Sequence, residues 1–112
     1  MSEVVKLTGL DGRELAPGVR MRPLFGIGVM LNLLDFEPHA RVPEHHHPHE
    51  QLGLVIDGAL TLRIDAVDHL LGPGDGYAIE GDVPHAAWTD ERGCRVLDVF
   101  HPVREDYREA GG

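Results

Sequence analysis

The sequence predicts an all-β protein, a sandwich or barrel of about eight to ten short strands with almost no helix. Three observations carry that prediction. Fourteen glycines and eight prolines punctuate 112 residues, which favours short strands joined by turns over long helices. The apolar runs between these residues have strand length. The hydrophobic fraction, 42%, is ordinary for a globular chain and supplies one core, so a single domain over residues 1–112 is expected.

The elements follow in order. The first twenty residues are mixed, with turns expected at Leu10-Asp11-Gly12 and Pro17-Gly18 and a strand starting at Val19–Met21. Gly28 to Glu37 reads as a long apolar strand ended by Pro38. Ala40 to His45 is a short strand. Gln51–Ile56 and Ala59–Asp65 flank Asp57-Gly58 and read as the clearest hairpin, because Asp-Gly suits a tight turn between twisted strands. Val67–Leu71 comes next, then a turn at Pro73–Gly76 and a brief strand at Tyr77–Ile79. Gly81–Pro84 turns the chain into a strand from His85 to Trp88. Thr89–Gly93 is a polar loop, and Cys94–Phe100 is the last strand. Arg104 to Ala110 reads as one or two helical turns stopped by Gly111-Gly112.

Charge excludes some functions. A net charge of −9 argues against nucleic acid or an anionic membrane as partner, since both need a basic surface. An anionic substrate would need local positive charge from a metal or an arginine. A lone cysteine, Cys94, cannot form an internal disulfide and fits a reducing compartment. It precedes an apolar strand and reads as a buried or edge thiol. Residues 1–18 hold no apolar stretch of signal-peptide length, and no run approaches membrane-spanning length. A cytoplasmic protein is expected.

The chemistry concentrates in Glu44-His45-His46-His47-Pro48-His49-Glu50-Gln51. His45 and His47 are two apart, so on an extended strand both rings point to one face. Their Cβ atoms then lie roughly 6–7 Å apart, and both imidazoles can reach one ion through bonds of about 2.1 Å. Gln51 follows past the break at Pro48, and His85 arrives from a distant strand. A solvated loop or a metal-sequestering tract is the competing reading of the histidine run; against it, the run enters directly into the apolar strand Leu52–Ile56. His46 alternates with the ligands and should point away. His49 is ambiguous, and His39, His69 and His101 read as surface or packed residues.

The chain's ending carries a second cluster. Asp98 and Phe100 share one face of the last strand, with Leu97 and Val99 on the other. A buried, unpaired carboxylate is costly, so Asp98 either pairs with Arg104 or Arg95 or faces an electropositive pocket where it can exchange protons. Phe100 is core or a wall against a ligand. Arg104 is a surface residue at a helix start, or a fork that grips a carboxylate.

These residues resemble a known family. His45-x-His47-x-x-x-Gln51, six residues and then Gly58 is similar to the first cupin motif, here within 43–58. Pro73-x-Asp75 with Pro84-His85 is similar to the second, within 72–88. The resemblance implies a double-stranded β-helix, a small jelly-roll barrel, with a short C-terminal helical turn and one divalent transition metal ion (nickel, iron, manganese, zinc or cobalt) in its mouth. It assigns His45, His47, Gln51 and His85 as ligands. Glutamine departs from the commonest pattern, which has glutamate; Glu50 is the alternative, although on a strand it faces the other way. Ile64–Asp68 stands where relatives often have a glycine-rich turn, so a longer hairpin is expected there.

The stretch V-P-E-H-H-H-P-H-E-Q and the ending L-D-V-F-H-P-V-R-E-D-Y resemble the KdgF-type cupins of pectin and alginate breakdown. That resemblance implies conversion of 4,5-unsaturated monouronates to the linear keto form, with Asp98, Phe100 and Arg104 at the substrate. It implies an anionic sugar acid as small-molecule partner, and a homodimer is expected because open sheet edges gain from pairing. An iron-dependent dioxygenase and a non-catalytic sugar- or metabolite-binding cupin remain open at this point.

Overall fold

The computed structural model describes residues 2–110. A single 3₁₀ turn at Leu7–Gly9 precedes ten strands and one helix. The strands are β1 (Arg13–Ala16), β2 (Val19–Phe25), β3 (Met30–Phe36), β4 (Arg41–His45), β5 (Glu50–Gly58), β6 (Leu60–Ile64), β7 (Val67–Leu71), β8 (Gly76–Ile79), β9 (His85–Trp88) and β10 (Cys94–His101); α1 spans Glu105–Ala110. They form a six-stranded sheet, β1-β2-β3-β10-β5-β8, and a four-stranded sheet, β4-β9-β6-β7. All pairings are antiparallel. The architecture is a jelly-roll barrel with the core between the two sheets.

Strand alternation sorts the side chains. On β10, Cys94, Val96, Asp98 and Phe100 are buried while Arg95, Leu97 and Val99 are half-exposed, the period of two that a pleated strand imposes. Cross-strand register stacks the inward residues in rows. Met21, Leu34, Val96 and Val55 form an apolar row, and all four are buried. The next row is Pro23, Asn32, Asp98, Gly53 and Tyr77. The row after it is Phe25, Met30, Phe100, Gln51 and Ile79. The six-stranded sheet therefore sets one polar row, with Asn32 and Asp98, between two mainly apolar ones.

Two turns differ from expectation. Asp57-Gly58 is not a hairpin. β5 pairs with β10 and β8, whereas β6 pairs with β9 and β7, so this dipeptide is the corner where the chain changes sheet. The left-handed conformation is present, with φ 79° at Gly58. A Cβ at Gly58 would collide with the Gly93 carbonyl, so glycine is required by a close approach as well as by backbone angle. The tight hairpin lies instead between β6 and β7, where Ile64 pairs with Val67. Asp65 and Ala66 both have positive φ, 47° and 67°, the signature of a two-residue primed turn. The hairpin expected to be longer is thus as short as a hairpin can be.

β1 was not expected. It folds back on β2 around Gly18, whose φ is 78°. β2 also runs on to Phe25 through Pro23. Pairing with β1 ends at Met21, so Pro23 sits where β2 has one free edge and its missing N–H is tolerated.

Candidate metal centre

His45 and His85 are direct cross-strand partners at the ends of β4 and β9. His47 follows the end of β4, and Gln51 is the second residue of β5. One ligand nitrogen from each of the three histidines lies within 4.8 Å of the other two. The rings are 4.3 to 5.7 Å apart between centroids.

Backbone carbonyls fix which nitrogen is presented. Nδ1 of His45 donates to Pro43 O at 2.9 Å, Nδ1 of His47 to His49 O at 3.1 Å, and Nδ1 of His85 to Val83 O at 2.8 Å. A carbonyl can only accept, so each Nδ1 carries the proton and each Nε2 offers a lone pair. This is the outer-shell arrangement that orients metal-binding imidazoles. Nε2 of His85 is buried with no partner. Nε2 of His47 faces Gln51 Oε1 at 3.1 Å. Two acceptors at that separation repel unless a cation lies beside them; adjacent ligands on one ion with bonds of about 2.1 Å stand about 3.0 Å apart. The donor set fits a divalent transition metal held by His45, His47, His85 and Gln51.

Burial and charge favour the neutral form of His47 and His85. His47 is pushed down to about 4, first by burial and then by the Arg104 and His85 charges. Burial likewise lowers His85. Glu50 points to solvent while Gln51 is buried. The other histidines stand apart. His46 is exposed near Asp82, and His39, His69 and His101 are exposed. His49 packs its ring 5.5 Å from His47 but lends only its carbonyl.

Beside the histidines lies a small cup that opens to solvent. Tyr77, Asp98, Phe100 and Arg104 line it together with His45, Gln51 and His85. Asp98 is buried, and burial raises its carboxyl to about 6, opposed by hydrogen bonds from Tyr77 and Gln51 and by the Arg104 charge. Neither expected arginine partner is there. Arg95 pairs with Asp35 at 2.7 Å, and Arg104 pairs with Asp106 at 2.8 Å. Tyr77 takes that place, its hydroxyl donating to Asp98 Oδ1.

Sequence reasoning missed Tyr77. Its ring lies across Gly53, and a Cβ at Gly53 would fall inside that ring. A glycine in the interior of a strand is a sign of close approach, and Gly53 was that sign. Phe100 packs edge-on to His47 at 5.5 Å between centroids and to Tyr107 at 5.8 Å. Arg104 is less free than expected. Its Nε and Nη2 bind the two Asp106 oxygens at 3.3 and 2.8 Å, and its Nη1 donates to the Tyr107 hydroxyl at 2.8 Å.

With this geometry in place, comparison with known proteins identifies the family. Residues 32–100 match the cupin domain family Cupin_2. The chain belongs to the cupin family. This cupin is similar to the pectin degradation protein KdgF of Dickeya dadantii, with 26% identity over 96 residues, 84% of this chain and 87% of that one. Its fold matches the structure of KdgF from Halomonas sp. with a TM-score of 0.87 at 25% identity, covering 95% of this cupin and 98% of that chain. A 58-residue stretch is also 33% identical to the HTH-type transcriptional regulator PuuR of Escherichia coli. That stretch is 51% of this chain but only 31% of the regulator's length.

Proposed function

We propose that this cupin is a metal-dependent enzyme that linearises 4,5-unsaturated monouronates. The observation that carries the reading is the juxtaposition of three histidine ligand nitrogens with the buried Asp98 carboxylate beside one cup. Similarity to two KdgF proteins along most of the chain supports it. His45, His47, Gln51 and His85 hold the ion, which when bound supplies Lewis acidity toward a carboxylate or ring oxygen of the sugar.

The chain's own residues do the rest. Tyr77 holds Asp98 Oδ1 and the Gln51 amide supports the same carboxylate, which takes the proton from the anomeric hydroxyl. The bond from C1 to the ring oxygen then breaks, its electron pair going to that oxygen, which leaves an aldehyde at C1 and an enolate at C5. Return of the proton taken by Asp98, now to C4, turns the enolate into the ketone. Phe100 packs against the sugar and excludes water. Arg104 lends positive charge to a uronate carboxylate and accepts it directly only by exchange with Asp106.

The reading includes a cytoplasmic protein that works as a homodimer. Among the described residues no helix is long and apolar enough to cross a membrane. The outer face of the six-stranded sheet exposes Leu52, Leu54 and Ile56, and a second copy is the occupant proposed for it.

The test is the ultraviolet absorbance of the conjugated double bond in an unsaturated monouronate. Metal-loaded protein should speed its loss, and metal-stripped protein and Asp98→Asn should not. No acceleration by the loaded protein ends this reading.

A further inference from the structure

The inner face of the four-stranded sheet changes character between two neighbouring rows. In the first, His45 pairs with His85 and His85 with Ile64. In the second, Val42 pairs with Ala87 and Ala87 with Leu62. Ala87 is two residues past His85 on β9, so both point the same way. Val42 is three residues before His45, and strict alternation would send them to opposite faces. The register of β4 on β9 shifts between these positions, as it does at a β-bulge, and both side chains reach the cup. Val42, Ala87 and Leu62 line it together with His45 and His85.

These three aliphatic side chains form a wall without a donor or an acceptor. Leu62 is sealed at 3% exposure, but Val42 and Ala87 are only half-buried although they face inward. Across the cup, Leu34 and Val96 add more aliphatic surface from the six-stranded sheet. β9 is hydrogen-bonded on both sides, by β4 and β6, so its backbone offers little in compensation. The polar partners lie elsewhere in the lining, at Gln51, Asp98 and Arg104. A ligand hydroxyl pressed against the wall would give up its water and find no replacement. A ligand that fits therefore carries oxygens on one side and a hydroxyl-free edge on another.

We infer that Val42 and Ala87 are specificity-determining residues, which receive the hydroxyl-free edge of an otherwise oxygen-rich acid. On the proposed function, on which this identity rests, the edge is the C4 side of the unsaturated ring. The double bond between C4 and C5 leaves no hydroxyl at C4, whereas a saturated hexuronate carries one there. The wall admits the unsaturated uronate and turns away saturated sugar acids that share its carboxylate and anomeric hydroxyl.

Metal-loaded wild type, Val42→Thr and Ala87→Ser would be titrated by calorimetry with galacturonate and with its 4-deoxy analogue. Wild type should bind the deoxy compound about ten- to a hundredfold more tightly. Each substitution sets a hydroxyl into the wall with little change in volume, and each should narrow the preference to about threefold or less. The preference is a ratio within one protein, so partial unfolding or metal loss in a variant cancels from it. A wild type that binds both compounds equally, or two variants that keep its preference, would overturn the inference. Turnover of unsaturated uronate, measured alongside, separates it from the proposed function. Preference without turnover removes the enzyme and keeps the wall. Turnover without preference removes the wall and keeps the enzyme. Binding of neither compound overturns the wall, and turnover alone then decides the enzyme.

Discussion

Gln51 does two things that a glutamate could not do together. Its Oε1 lies beside His47 Nε2, and its amide hydrogen-bonds Asp98. A carboxylate at position 51 would hold a cation more tightly but would set a second negative charge against Asp98. Gln51→Glu should bind metal more tightly and move the acid limb of the pH–rate profile up by about one unit, as titrating kcat/KM would show. The sign follows from Asp98, whose carboxyl burial raises to about 6. A base must be ionised, so activity should rise with pH through about 6. The same shift weakens the fold there, because the native state binds a proton that the unfolded chain, at the ordinary carboxyl value of 3.8, has lost. This contribution to stability is lost as pH climbs from 3.8 toward 6. Tyr77→Phe removes a hydrogen bond that lowers Asp98, so the limb should shift to higher pH and kcat should fall roughly tenfold. His45, His85 and Asp98 were legible because they lie on strands whose faces alternation sorts, whereas His47 sits just past the end of β4 and was found by its spacing in the histidine run. Tyr77 was not, because Gly-Tyr-Ala-Ile reads as any short strand and its role depends on Gly53 on a neighbouring strand.

At the scale of elements, the strands were more legible than their pairing. Alternation and turn residues locate most strands, yet nothing local says that β5 and β6 belong to different sheets. Asp57-Gly58 carries the chemistry of a hairpin, and long-range contact with Gly93 decides its use as a corner. β1 escaped notice because four residues, Arg-Glu-Leu-Ala, hold too little pattern. Pairing of β5 with β8 creates a specific dependence. Gly53→Ala should expel the Tyr77 ring, lower stability by about 1–3 kcal/mol and abolish activity, with thermal melting and the absorbance assay as readouts. In α1, Asp106 occupies the Arg104 fork although its own side chain is largely exposed. Asp106→Asn should free that fork and lower KM for a uronate by about threefold.

The whole molecule has a face the single chain leaves open. Leu52, Leu54 and Ile56 on β5 are 48%, 43% and 44% exposed, beside half-buried Leu97, Val99 and Leu31. The next row along is charged, with Asp35 binding both Arg22 and Arg95 at 2.7 Å. An oily centre with a polar margin is the anatomy of an interface. On the proposed homodimer, Leu54→Arg should halve the mass measured by sedimentation while leaving the circular dichroism spectrum unchanged. Composition alone hid this face, because its leucines look like ordinary core residues until the sheet shows which way they point. The candidate metal centre has a mechanical consequence at the same scale. His45 and His85 belong to the four-stranded sheet, while Gln51 belongs to the six-stranded one. An ion gripped by all of them is a rivet through two plates, so chelation should loosen the rim first. Amide hydrogen exchange at the ends of β4, β5 and β9 should quicken under chelator well before the far end of the barrel responds.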